Sequence, residues 1–379
     1  MTEKDPVVII GGGFAGISMA HSILNHVQPT PKVILVSASR QFWYKVCCPR
    51  MLARPDLISV EHCSPDIEPA FADYPAENFT FVYAYARSVS IEEKTVELEL
   101  IESGETTQLK YAALVVATGG RSQEVIWSPE GPIDEAKERM GTLHEKLKTA
   151  KTVVIAGGGS LGIETAGEIG YDNGKNIDIR LYSGGQQLLG NLRKELGRDA
   201  EHYLTKMGVE VIHNIKTTGT TLDEETGKTI VSLDNGETVT ADIYLSTTGL
   251  KANTDFCPSS CLNEKGFLET DEYLRVKNAP GLYSIGSSAS YSHGVIPDIL
   301  DAVTPLTKVL NHDLSPDTVP EPKPFHRTDK ETILIPVGRS KGVGLLYGVK
   351  LPSFLVWAIK GRTYFAGSVS YYLNGEKYR

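Results

Sequence analysis

The chain has 379 residues, of which 38 are Lys or Arg and 47 Asp or Glu, for a net charge of −9. That length exceeds one ordinary core and implies roughly two or three domains. The acidic balance, with a pI near 5.6, argues against general nucleic-acid binding, which needs a basic face. No apolar run approaches the roughly 18 residues needed to cross a bilayer. The start MTEKDP reads neither as a signal peptide nor, with Thr2, as a myristoylation site, and GEKYR at the end carries no prenylation or retention signal. Five cysteines without framework spacing point to reduced thiols and an intracellular, cytoplasmic setting.

PVVII (6–10) predicts a buried parallel strand, followed by VVIIGGGFAG with Gly11, Gly13 and Gly16 in the G-x-G-x-x-G register, and by a helix to about residue 25. In such a turn the first glycine permits the tight bend, the second lets backbone N–H groups approach a pyrophosphate, and the third lets helix and strand pack closely. KVILV (32–36) is the second strand. Cys47 and Cys48 are adjacent, unlike the spaced pairs that relay electrons, and read as small buried residues. TVELELI (95–101) alternates and belongs to a small antiparallel piece turned at Ser103-Gly104. YAALVVATGG (111–120) is another buried strand, and 134–150 a charge-rich helix.

VVIAGGGSLG then repeats the fingerprint with Gly157, Gly159 and Gly162, 146 residues beyond the first. A helix (162–171), the strand IDIRLYS (177–183) and a meander of VEVI (209–212), TIVSL (229–233) and ETVTADIYLSTTG (237–249) follow. Cys257 and Cys261 lie four apart with no second Cys or His pair nearby, so no zinc site is expected. GLYSIG (281–286) is a buried strand, and PEPKPF (320–325) a linker. Beyond it the chain is aromatic-rich and basic. We expect residues 1–120 plus 275–319 to form one unit, 121–274 a second inserted into it, and 320–379 a small third domain.

Two fingerprints, each at a strand-to-helix junction, point to two dinucleotides held face to face. GGGFAG, VVATGG, GGGSLGIETAGEI and GLYSIG, with TTGLKANT (247–254), resemble in order the landmarks of the two-dinucleotide-binding flavoprotein superfamily. FWYKVCCPR (42–50), IPVGRSKGVG (335–344) and IKGRTYF (359–365) resemble the narrower apoptosis-inducing-factor-like branch that includes ferroptosis suppressor protein. The resemblance implies an α/β fold of two Rossmann-like domains with a small C-terminal α+β domain. It also implies bound FAD, NAD(P)H as reductant, no redox disulfide, and a quinone-like acceptor.

On that basis Gly11, Gly12, Gly13, Ala15, Gly16, Ser37, Arg50, Ser88, Thr118, Gly119, Gly286 and Ser287 are expected on FAD, and Gly157, Gly159, Gly162 and Ser183 on the nicotinamide nucleotide. Three departures stand out. Ser37 and Ser183 end strands where a ribose-binding carboxylate is usual, and Ser287 stands where the superfamily places an Asp toward the ribityl chain. Losing one charge-assisted bond costs on the order of 1 kcal/mol, which weakens binding without abolishing it. Without a carboxylate at Ser183 a ribose 2′-phosphate is not repelled, although no Arg or Lys follows at once in SGGQQ.

Glu164, in G-I-E-T, is expected at the nicotinamide–flavin cleft, with helix-dipole stabilisation as the plainer alternative; Glu168 is expected to be structural. Lys360 is expected to stabilise negative charge near flavin or acceptor, against the alternative that it and Arg362 are solvated charges beside an aromatic cluster. Arg50 suits pyrophosphate or flavin carbonyl oxygens. Asp298 reads as a capping residue at a helix start, and His293 as an incidental loop residue. The aromatic stretch 351–372 is a packed cap, a quinone-binding wall, or a surface making weak peripheral membrane contact. No metal is expected, and the oligomeric state is open. Two other readings keep the fold. One is a specialised biosynthetic flavin oxidase or cyclase acting on a small metabolite, the other a redox-sensing or scaffold protein with weak or lost flavin binding.

Overall fold

In the computed structural model, residues 5–328 and 330–378 are described. The first sheet has seven strands, in the order β16-β6-β1-β2-β3-β4-β5. These are β1 (Val7–Ile10), β2 (Val33–Ser37), β3 (Phe79–Ser90), β4 (Thr95–Leu100), β5 (Thr106–Lys110), β6 (Ala113–Val116) and β16 (Leu282–Ser284). The strands β16, β6, β1, β2 and β3 run parallel, while β4 and β5 continue as an antiparallel extension. β1 reads VVII because it is covered on both faces, which favours a continuous apolar run over alternation. Helix α1 (Phe14–His26) follows β1 and packs on α6 (Ile296–Leu314).

The second sheet is parallel, in the order β10-β9-β8-β14, from β8 (Thr152–Ala156), β9 (Asp178–Ser183), β10 (Val209–His213) and β14 (Ile243–Ser246). Helix α4 (Ser160–Asn173) follows β8, and α5 (Lys194–Lys206) precedes β10. The expected meander is corrected here. VEVI is an edge strand of this parallel sheet, and ETVTADIYLSTTG breaks at Asp242 into β13 (Thr238–Ala241) and β14. The antiparallel meander itself is β11 (Thr217–Leu222), β12 (Thr229–Leu233) and β13. The break has a local cause: the Asp242 carboxylate accepts the backbone N–H groups of Lys151 (2.7 Å) and Thr152 (2.9 Å), turning the chain at the start of β8.

Two crossings join the sheets. The chain leaves the first through β7 (Gly120–Arg121) and returns from the second through β15 (Lys251–Ala252), and these two short strands pair antiparallel. Helix α2 (Cys48–Ala53) contacts both α3 (Asp134–Leu147) and α4.

A further sheet of β17 (Ile333–Val337), β18 (Lys341–Leu346) and β19 (Val349–Lys350) lies on α4. The approach is close: a Cβ added to Gly167 on α4 would stand 2.6 Å from the Gly338 nitrogen. Helix α7 (Ser353–Val356) runs into a single π turn (Trp357–Gly361), and α8 (Val369–Leu373) returns to α1. Among the described residues no helix is long and apolar enough to cross a membrane.

Candidate active site

The two fingerprints fold alike. Gly11 and Gly157 have φ of +121° and +119°, a region that L side chains avoid, and a Cβ on either would collide with Ala117 or Thr247. Gly16 and Gly162 would place a Cβ 1.8 and 1.9 Å from the carbonyl oxygens of Gly11 and Gly157, so each holds its helix against its strand. Gly13 and Gly159 face open space. Each is the N-cap of its helix and offers no side chain, so first-turn N–H groups are left free to meet an anion.

A cavity of about 420 Å³ opens in front of the first fingerprint. Of the residues expected on FAD, Gly11, Gly12, Gly13, Ala15, Ser37, Thr118, Gly119 and Ser287 line it. Gly16 and Gly286 lie behind this wall: Gly286 (φ +80°) backs onto Ala15 and donates its N–H to the Tyr291 hydroxyl at 3.1 Å. Ser37 is buried, and its hydroxyl donates to Ser39 O at 2.6 Å, so it shapes its own loop. Two expected residues are elsewhere. Ser88 is exposed on β3 opposite Glu97, just past a bulge. Arg50 points away from the cavity to a buried carboxylate, as described below.

The cavity also holds residues that sequence reasoning did not assign. Trp43 and Lys45 line it. Lys45 makes no side-chain hydrogen bond among the described residues, and burial pushes its ammonium below the ordinary lysine range. The only signal for it is a Lys inside an otherwise apolar run. Arg121 also lines the cavity and ties across it to Asp255 and to Asn253 Oδ1 (3.0 Å), while Thr118 Oγ1 donates to Asn253 O at 2.6 Å.

Beside this cavity, but not lining it, lies a buried charge cluster. Glu164 and Glu168 stand one turn apart on α4 and are both buried. Lys360 Nζ, carried by the π turn, donates to Glu164 Oε1 at 2.6 Å and to Leu334 O at 3.1 Å. Arg50 grips Glu168 with two bonds, the Nη2–Oε1 one at 2.8 Å, and donates to Gly361 O at 2.9 Å. Burial raises the Glu164 carboxyl above the ordinary range; Lys360 opposes that shift and Glu168 adds to it. Tyr364 is fully buried between the cations, its ring centroid 4.9 Å from the Arg50 guanidinium and 5.8 Å from Lys360 Nζ. Burial and the two carboxylates hold its phenol well above the usual range.

The segment that carries Lys360 is strained and then clamped. Tyr364 and Phe365 have φ of +49° and +57°, left-handed values unusual for such side chains. Tyr44 donates to Phe365 O (3.1 Å), Cys47 to Tyr364 O (3.4 Å), and His62 bonds Ala366 O (2.9 Å). All five cysteines are buried free thiols, and Cys48 donates to Ile126 O at 3.2 Å. The aromatic stretch divides: Tyr372 packs inward on Phe14 at 5.4 Å, while Phe354, Ile359 and Tyr371 face out. Arg362 is exposed. Asp298 is expected as a capping residue, but α6 has no side-chain cap; the buried carboxylate instead accepts the N–H of the upstream loop residue His293 at 2.7 Å and faces Arg327 at 3.2 Å, while His293 itself is exposed.

The chain is 34% identical to oxidoreductase phnG of Penicillium herquei over 96% of its own length and 94% of that protein. It is 31% identical to oxidoreductase ptaL of Pestalotiopsis fici (93% and 95%) and 28% identical to ferroptosis suppressor protein 1 of Xenopus tropicalis (96% and 94%). Among solved structures, NDH2 from Plasmodium falciparum in complex with NADH superposes with a TM-score of 0.75 at 14% identity over 99% of this chain and 98% of that one. The sulfide:quinone oxidoreductase of Aquifex aeolicus does so at 0.72 and 18% over 97% and 92%. The fold is thus the two-Rossmann FAD/NAD(P) oxidoreductase fold that the fingerprints imply. With the family model matched over residues 5–304, the chain belongs to the pyridine nucleotide-disulphide oxidoreductase family.

Proposed function

We propose that the protein is an FAD-dependent NAD(P)H oxidoreductase that passes electrons to a quinone-like acceptor. The observation that carries this reading is the pair of glycine cradles with matching backbone geometry, the helix of the second bearing an ion pair to the C-terminal segment. The first cradle fits FAD: Gly13 faces open space, α1 presents N–H groups without a side-chain cap, and the cavity runs from Ser37 to Ser287. The second cradle repeats the uncapped helix and the open glycine. When bound, flavin and nicotinamide supply the hydride and electron chemistry.

The chain's own residues would bind, orient and set charge. Gly12, Gly13 and the first turn of α1 would hold the FAD pyrophosphate, and Gly159 and α4 that of NAD(P)H. Lys45 would bring one positive charge to the flavin cavity. Glu164, kept above the ordinary carboxyl range by burial, would hold or release a proton at Oε2, with Lys360 fixing Oε1. The exposed Phe354 and Ile359 support a weak, reversible contact of this face with lipid, where a quinone would dissolve.

With higher identity to two fungal oxidoreductases than to ferroptosis suppressor protein 1, the alternative kept is a specialised flavin oxidase or cyclase acting on a small metabolite. The test is direct. Acid precipitation of the purified protein should release a yellow supernatant, and the protein should consume NAD(P)H faster when a short-chain quinone is added. Colourless protein refutes the flavin assignment. Flavin that NAD(P)H reduces but quinone does not reoxidise refutes the acceptor.

A further inference from the structure

We propose that the second nucleotide unit selects a ribose 2′-phosphate, and therefore NADPH over NADH, and that Lys216 is the residue that reads it. The proposal rests on the reading of the second fingerprint as a nicotinamide-nucleotide site. In such a unit the end of the second strand meets the adenosine ribose. Here that end is Ser183, buried beside the fingerprint; a Cβ on Gly158 would stand 2.6 Å from its Oγ. A carboxylate in this place accepts bonds from both ribose hydroxyls and repels a phosphate. Ser183 does neither, and among the described residues its hydroxyl makes only a long bond, 3.4 Å, to Gln187 O.

Lack of repulsion is not selection, and Gly184, Gly185, Gln186 and Gln187 bring no charge. The charge arrives from another segment. Lys216 lies three residues past β10, the strand that pairs with β9 and sets His213 opposite Ser183. Its aliphatic stem is laid over the backbone of residue 184: a Cβ there would stand 2.6 Å from Lys216 Cγ and 3.2 Å from Cε. Gly184 is not among the residues at positive φ, so the stem, not the backbone, calls for glycine.

The root of the side chain is pinned. Asn214 N–H donates to Gly185 O (3.0 Å), Lys216 N–H to Asp234 Oδ1 (3.0 Å), and Asp234 N–H back to Lys216 O (2.9 Å). The Lys216 ammonium has no ion pair or hydrogen bond among the described residues, whereas Lys228 faces Asp242 at 3.1 Å and Lys350 faces Asp199 at 2.7 Å. The adjoining cavity at Gln187 adds Arg193, Lys194 and Arg198 against Glu195 and Glu201, and Glu201 is already bonded to His213 Nε2 at 3.0 Å. A free lysine beside a strand end without its acid suits a phosphate monoester, which a lysine binds as a point charge.

The test is calorimetric titration of the flavin-loaded protein with adenosine 2′,5′-bisphosphate and with 5′-AMP, which lacks the 2′-phosphate. The bisphosphate should bind about tenfold more tightly, a difference of about 1.4 kcal/mol, and added salt should erode that ratio. K216M should bring the ratio close to one with 5′-AMP affinity unchanged, K216R should keep it, and S183E should invert it. Equal affinities in the unaltered protein, or a K216M variant that weakens both probes alike, would overturn the proposal. Binding of neither probe would instead remove the nucleotide reading of the second fingerprint, and the proposal with it.

Discussion

The two nucleotide units share one backbone and differ in what closes over it. Gly11 and Gly157 have nearly the same φ, and Gly12 leans on Ser37 as Gly158 leans on Ser183. Above the first cradle, Arg121 reaches Asp255 and Asn253, Trp43 and Lys45 form a wall, and a defined cavity results. Above the second, β9 runs into Gly184-Gly185, with a lysine stem for a lid. On the proposed assignment, the first arrangement suits a cofactor held for many turnovers and the second one that leaves after each turnover, with the glycine motif common to both and the difference lying in side chains outside it.

That contrast breaks most sharply at the fingerprints themselves. G11V should yield colourless protein, since its side chain meets Ala117 at a backbone angle valine avoids. G157V should keep the yellow colour and lose flavin reduction by NAD(P)H. Absorbance of purified variants, followed by anaerobic NAD(P)H titration, tests both, and equal flavin loss in the two would erase the assigned difference.

The buried pairs come next. E168L leaves Arg50 uncompensated in the interior and should cost about 3–5 kcal/mol, read as a lowered melting temperature. The double variant R50M/E168L should recover most of that loss, because two apolar groups replace two charges. A double variant as unstable as the single one would mean that the pair is needed for more than neutralisation.

E164A and K360A should slow turnover by about one to three decades with flavin content unchanged. In rapid-reaction traces E164A should slow flavin reduction first and K360A reoxidation by quinone first. Flavin or stability lost in proportion to activity would make both residues structural.

The smallest effect is on pH. Glu164 titrates above its ordinary value because burial disfavours the anion, and Lys360 holds it down. A rate that needs the carboxylate therefore rises as pH climbs through that raised pKa. K360M should move this acid limb to higher pH by about one unit or more, and E164Q should abolish it. An acid limb that K360M leaves in place would assign it to another group.

Much of this was legible in sequence where a short motif carries its own geometry. β1, β2, β6 and both fingerprints follow from continuous apolar runs ending in glycines. β10 was not, because VEVI reads equally well as a meander strand until its neighbour is known. The division of 237–249 depends on Asp242, whose backbone partners lie 90 and 91 residues away. The site shows the same limit. Glu164 and Lys360 stood out singly from their motifs, yet their bond spans 196 residues. The resemblance and its planar fork put Arg50 on a cofactor; the side chain is buried, but its counter-charge is Glu168, 118 residues away. Lys216 gave no signal, since only packing lays it over Gly184.

The paired crossing of β7 and β15 has a mechanical consequence. Two single linkers would let the second unit swivel freely over the first. Here the outgoing and returning chains are bonded to each other, and the pair is tight: a Cβ on Gly120 would stand 2.8 Å from Lys251 O. The buried pair between Arg50 on α2 and Glu168 on α4 fastens the same two units at a second place, so the chain between them is held by more than its two crossings.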